Sequence, residues 1–383
     1  MKFNKKQFLK NMGLVVATAI VTTFVLTQFN IVAFLPNSEY EKYKKLIGLN
    51  EAIHEDFYKK PNEEKLEEGI YKGLFYGTED VYSAYYTKDE MRQLMESSSG
   101  KYVGIGMLLK AEESSGLIVV ERVFENSPAK TAGVKKGDQI LKINGKSYAN
   151  QDIDIATKNI RGEEGTQVDV SFMRDKKIIN KKLTRKEIKI ESIKSEMKED
   201  NIGYVKIESF DEDTDKDFRS AILNLKKNNM KALIIDVRDN GGGLLDSVEK
   251  ISDQILGEGV IVYTEDNKKD RVYLKSTDKE KINLPLVVLT NEHSASASEI
   301  LTGAIVDNKA GISIGTTTYG KGLVQSVVGL RDGSGYKLTT SQYFTPNGNY
   351  IDKKGIKPTI EVKNSNEQLQ KAVEYLKEKL KSS

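Results

Sequence analysis

Between residues 187 and 363 short apolar runs alternate with helical stretches, and this rhythm restricts the fold more than any other feature of the chain. Residues 202–207, 232–237 and 284–289 read as strands, with helices over 218–227 and 244–256 between them. Strands separated by helices are joined by crossovers, which predicts a mainly parallel sheet buried on both faces, with a functional site outside the carboxyl ends of its strands. Two segments of unusual composition leave those ends. One is DVRDNGGG (236–243), the other NEHSASASE (291–299).

The serine run raises a chemical question, because serine is a poor nucleophile without a base. The chain has two histidines and no cysteine. His54 lies in a polar N-terminal segment, and His293 sits three residues before Ser296, badly placed to take its proton. Lysine is the remaining base, and Lys321 stands between Gly320 and Gly322 as the one charge in the neutral stretch TYGKGLVQSVV (318–328). In an extended segment Lys321, Leu323 and Gln325 share a face, so the Gln325 amide could orient the amine. The plainer reading is a lysine exposed on a turn. Ser296 has a plain reading too: Ser296 to Glu299 fits the Ser-x-x-Glu box that opens a helix without any catalysis. The two readings are compatible, since a helix N-terminus supplies free N–H groups and a dipole suited to developing negative charge. For the triplet 241–243 a tight strand-to-helix turn and an oxyanion-binding turn both stand. A phosphate loop is disfavoured, because Leu244, Leu245 and Asp246 follow instead of Gly-Lys-Ser/Thr.

Composition narrows the partners. Lys and Arg total 59 against 56 Asp and Glu, a net charge of +3 that gives no nucleic-acid footprint. Absent cysteine and scarce histidine leave no expected metal site, and no cofactor motif is present. Lys2, Lys5, Lys6 and Lys10 precede an uncharged run from Gly13 to Leu35. As a helix it would extend about 34 Å, enough for a hydrocarbon core of roughly 30 Å. The lysines predict a cytoplasmic stub and single-pass anchor over 1–37, with an exported remainder. A cleavable signal peptide fits the end of the run poorly. Residues 38–100 read as a polar helical region with nothing chemical in it, and 364–383 as an amphipathic helix that covers the core or contacts a sister subunit.

Residues 101–186 carry a different order of motifs. YVGIGMLL (102–109), the strand 117–120, SPAKTAG (127–133), GDQILKINGK (137–146) with an Asn-Gly hairpin turn, and a helical face through Ile153, Ala156 and Ile160 resemble a PDZ domain. The resemblance implies that the backbone at Gly104, Ile105 and Gly106 receives a peptide's terminal carboxylate while the peptide adds as a strand. A bulged strand is the alternative for Gly-x-Gly alone.

NEHSASASEI followed by GTTTYGKGLVQ closely resembles the carboxyl-terminal processing peptidases, or tail-specific proteases, and DVRDNGGGLL and the PDZ-like unit agree. The resemblance runs from about Gly73, in GLFYGTEDVYSAYYT, to about Val362. It implies Ser296 as nucleophile, Lys321 as general base, Gln325 as the residue holding the lysine, and the N–H groups of Ala297 and Gly242 as the oxyanion hole. It further implies an accessory acid at Asp307 and a coupling arginine at Arg161. DVYS (80–83) departs from the family's usual Asp-Pro-Tyr-Ser, a difference read here as one of packing. The expected protein is a mixed α/β and α+β multidomain chain: anchor, helical region, PDZ domain, a serine protease core over 187–363 and a tail helix. Its expected work is endoproteolysis outside the cytoplasm of polypeptides with apolar C-termini, with a homo-oligomer open. The alternative is a catalytically silent PDZ scaffold at the membrane. A lipase or esterase is disfavoured by the missing Gly-x-Ser-x-Gly and histidine base.

Overall fold

A computed structural model describes residues 5–28, 37–149, 152–277 and 281–382. The chain divides into two compact units, 1–71 and 72–383. In the first, helices cover Lys5–Gln28 and Asn37–Asp56, and a third begins at Glu63. Among the described residues no helix is long and apolar enough to cross a membrane. The last part of the expected anchor, from residue 29 to 35, lies outside the described residues.

The second unit contains the expected parallel sheet. Its six strands run in the order Ile360–Glu361, Ile312–Gly315, Leu286–Thr290, Ala232–Asp236, Ile202–Ile207 and Ile193–Met197. All neighbouring pairs are parallel except the last. Every residue of Ala232–Asp236 and Leu286–Thr290 is buried, as two-faced covering requires. One face packs on helices Thr214–Lys227, Leu245–Ile255 and Ala297–Asp307 through Phe218, Leu225, Ile251, Ile255, Leu301 and Ile305. The other takes the tail helix Ser365–Ser382, whose Ala372 and Leu376 are fully buried against Ile202, Ile234, Val287 and Ile314. That helix therefore covers the core, and Arg238 pins its start by donating to the Ser365 carbonyl and Gln368 Oε1. The two edge strands escaped the sequence reading because one has two residues and the other is largely polar.

A second sheet is antiparallel. Gly335–Phe344 lies between Gly259–Asp266 and the short strand Ala84–Tyr86, and also pairs with Leu323–Gly329. The helix Lys88–Ser99, which follows Ala84–Tyr86, is opened by Thr87, which accepts from Glu90 N while the Glu90 carboxylate accepts from Thr87 N.

Residues 107–184 form a five-stranded antiparallel sheet around Ile118, Val120, Ile140, Phe172 and Leu183. Ser127 caps the short helix Pro128–Thr131, and Gly133 closes it with φ +77°. Asn144 and Gly145 both take positive φ in the hairpin turn, as their residue types foretell.

Candidate active site

The two unusual loops meet because they leave adjacent strands: Asp236 pairs with Leu289, and their carboxyl ends open on the same side. Ser294 donates to the Val237 carbonyl at 2.7 Å and Ser298 to the Asn240 carbonyl at 2.9 Å, while Ala295 N donates to the same Asn240 carbonyl. The outer serines are thus spent fastening the run to the glycine loop, and Ser296 between them remains partly exposed. Its backbone has φ 55° and ψ −115°, a conformation that costs a side-chain-bearing residue roughly 1–3 kcal/mol. Strain at a strand-to-helix turn lifts the side chain clear of its neighbours, an elbow reached here without the flanking glycines of Gly-x-Ser-x-Gly. Gly242, with φ 105°, permits it: a Cβ there would lie 2.8 Å from the Ser296 Cβ and 3.0 Å from Ala297 N.

Glu299 joins the serine to the lysine. Its fully buried carboxylate accepts from Ser296 N at 2.9 Å, Lys321 N at 2.9 Å, Gly320 N at 2.8 Å and the Thr318 hydroxyl at 2.6 Å. The box that reads as a plain helix start is therefore also the tie between the two candidate catalytic segments, a role that spacing alone does not show. Asn240 is a second residue the sequence reading missed. Its side chain donates to the Ile207 carbonyl and accepts from Gly242 N, setting the glycine turn.

A cavity of about 420 Å³ brings together Ser296, Lys321, Gln325, Tyr343, the triplet 241–243 and Leu94, Ser97 and Ser98 of the 88–99 helix. Burial, then the nearby Lys337, hold the Lys321 amine below the usual lysine range, while Asp80 and Glu299 act in the opposite sense. The fully buried Tyr343 donates its hydroxyl to the Lys321 carbonyl, and burial pushes that phenol well above its usual range. No hydrogen bond joins the Lys321 amine to Ser296 among the described residues; the amine lies 4.5 Å from the centre of the Tyr82 ring. His293 is exposed beside Glu292 and does not line the cavity.

The other predicted residues divide. Ala297 is the first residue of its helix, where the N–H has no intrahelical acceptor. The N–H of Gly242 is donated to Asn240 Oδ1 at 2.8 Å, so in this arrangement it is already committed. Gln325 Nε2 donates to the Thr339 hydroxyl rather than contacting the lysine. Lys321, Leu323 and Gln325 do line one cavity, as the two-residue period implies, but the amide is taken by the neighbouring strand. Asp307 is remote: eleven residues return to the same helix face, but at about 16 Å along the axis, and its carboxylate accepts from Asn347 N instead.

Around the expected tail-binding turn, Gly104 pairs with Lys186, Ile105 is fully buried, and Gly106 takes φ 80° where a Cβ would meet that of Ser127. The turn's carbonyls at Ile105 and Gly106 accept from Ala129 N and Phe124 N. Arg161 lies over the Tyr102 ring and donates to Glu96, while Lys158 pairs with Asp89. Both acids belong to the 88–99 helix whose Leu94, Ser97 and Ser98 line the serine cavity.

The profile of Peptidase family S41 matches residues 201–362, and that of the PDZ domain residues 103–184. The Carboxy-terminal processing protease CtpA of Bacillus subtilis (strain 168) is 36% identical over 362 residues, spanning 93% of this chain and 77% of its own. A "Probable CtpA-like serine protease" of Staphylococcus aureus (strain MRSA252) is 33% identical over 355 residues, spanning 91% and 71%. The solved structure of a photosystem II D1 C-terminal processing protease is 26% identical, with a TM-score of 0.50 over 83% of this chain and 86% of that one. This chain belongs to peptidase family S41, as a serine-type peptidase of the carboxy-terminal processing group that carries a PDZ domain.

Proposed function

We propose that the protein cleaves exported polypeptides with a Ser296–Lys321 dyad, after its PDZ domain has taken their apolar C-terminal tails at the 104–106 turn. The observation carrying this reading is the shared cavity, in which a strained helix-start serine and a desolvated lysine are tied to one buried carboxylate. Neutral Lys321 takes the Ser296 proton as Oγ bonds to the peptide carbonyl carbon. The Ala297 N–H faces the oxygen that becomes negative, with a glycine of the 241–243 turn as its partner once that turn adjusts. The lysine returns the proton to the departing amine as the C–N bond breaks, and water then releases the acyl group. Engagement of Gln325 with Thr339, and of Lys321 with Tyr82, fits a resting arrangement that substrate rearranges. The uncharged run 13–35 supports a membrane anchor with the peptidase outside the cytoplasm.

The test is cleavage of an unfolded protein bearing an apolar C-terminal tail. Ser296→Ala and Lys321→Ala should each abolish turnover while keeping the wild-type circular dichroism. Turnover near the wild-type rate in Lys321→Ala would overturn the dyad, and inactivity of the wild type itself would favour a silent scaffold.

A further inference from the structure

The loop GTEDVYS (77–83) reads from sequence as packing, yet it carries an aromatic ring that lies against the Lys321 amine. Asp80 organises the loop by accepting from the Ser83 hydroxyl at 2.5 Å and from Tyr82 N at 3.1 Å. Ser83 Oγ in turn accepts from Thr339 N at 3.0 Å, fixing the loop to the strand Gly335–Phe344. Thr339 is also the residue whose hydroxyl takes the Gln325 amide. The loop and the glutamine therefore share one anchor point. The half-buried Tyr82 presents its ring to the lysine, with the amine 4.5 Å from the ring centre, inside the range of cation–π attraction.

Deepening the dyad reading, and resting on it, we propose that Tyr82 is a positioning residue of the reaction. Its ring face seats the protonated Lys321 amine in the resting site, and the amine serves as base only when it loses its proton and leaves the ring. A ring quadrupole attracts an ammonium and not a neutral amine, so the contact favours the inactive protonation state. Asp80 and Glu299 act in the same sense, while Lys337 opposes them. Asp211 is the acid lining the cavity and Tyr343 its tyrosine, while Tyr82 itself faces Tyr319, Asp352 and Asp80. Removing the ring without adding a charge should therefore weaken retention of the proton.

The test compares the full-length chain with Tyr82→Phe, Tyr82→Leu and Tyr82→Met. One reading is the acid limb of kcat/KM for a peptide with an apolar C-terminal tail. The other is the pH dependence of Ser296 labelling by a fluorophosphonate. Tyr82→Phe keeps the ring and should retain the wild-type acid limb. Tyr82→Leu and Tyr82→Met should move it to lower pH by roughly 0.5–1 unit. Two aliphatic replacements are used so that one which fails to fold leaves the other to decide. Acid limbs of the Leu and Met variants coinciding with the wild type, or a Phe variant shifting as far as they do, would overturn the proposal. Full activity in Lys321→Ala would instead remove the dyad on which it rests, a distinct failure.

Discussion

Replacing Glu299 by glutamine should damage this protein more than any other single-atom exchange in the site. All four partners of the carboxylate are donors, two on each oxygen: Thr318 Oγ1 and Gly320 N on Oε1, Ser296 N and Lys321 N on Oε2. An amide keeps one oxygen and turns the other into a donor: at the Oε2 position it opposes the two N–H groups of Ser296 and Lys321, while at the Oε1 position the Thr318 hydroxyl can turn to accept and the Gly320 N–H alone is opposed. At roughly 1.5–3 kcal/mol for each hydrogen bond to a charged group, the loss is about 1.5–6 kcal/mol. The upper end approaches the whole stability of an ordinary domain, about 5–15 kcal/mol. The rest of the sheet does not depend on these bonds, so the variant should fold at low temperature with a much lower denaturation midpoint. Catalysis should fall further than stability, because either amide orientation frees the backbone of Lys321 or its loop from that of Ser296, and misplacement by about 1 Å costs on the order of a hundredfold in rate. Urea titrations followed by circular dichroism would measure the first effect and kcat/KM on a tailed substrate the second. A variant within about 1 kcal/mol of wild type and with near wild-type kcat/KM would refute the view that Glu299 ties the two segments together.

Gly242→Ala should lose at least about a hundredfold in kcat, since its Cβ would meet the Ser296 Cβ and the Ala295 carbonyl at 2.8 Å. Gly241→Ala is the control: a Cβ there meets nothing within 4 Å, so activity should remain near wild type. Asp307→Ala should leave kcat/KM within about twofold and stability within about 1 kcal/mol, because the residue is remote and its acid opposes the dipole at a helix C-terminus. A thousandfold loss on that change would show that the chemistry reaches farther along the helix than the geometry allows.

What could be read from the sequence follows from how local each signal is. The strands at 232–236 and 286–290 were legible because every position is apolar or bears a terminal polar residue, and their pairing then brings the two odd loops together. Ser296 was separable from Ser294 and Ser298 only by resemblance, since three serines at alternate positions carry no internal ranking. Their hydrogen bonds supply it. Gln325 was legible as a neighbour of Lys321 from the strand period, but its bond to Thr339 was not, because that partner lies on another strand. Resemblance suggested Asp307, and the helical period that supported it ignores the distance along the helix axis. The 77–83 loop was read as packing because its link to Lys321 spans about 240 residues of chain, a separation over which no pattern of spacing operates.

The most direct test of the central claim is the rate at which a fluorophosphonate labels Ser296 as pH is varied, in the wild type and in Lys321→Ala. A base depressed by burial is protonated and idle below its pKa and active above it. Wild-type labelling should therefore rise with pH through a midpoint below the ordinary lysine value of about 10.4, while the Lys321→Ala rate stays low throughout. The two profiles should diverge in this way; superimposable profiles would rule out Lys321 as the base that arms Ser296.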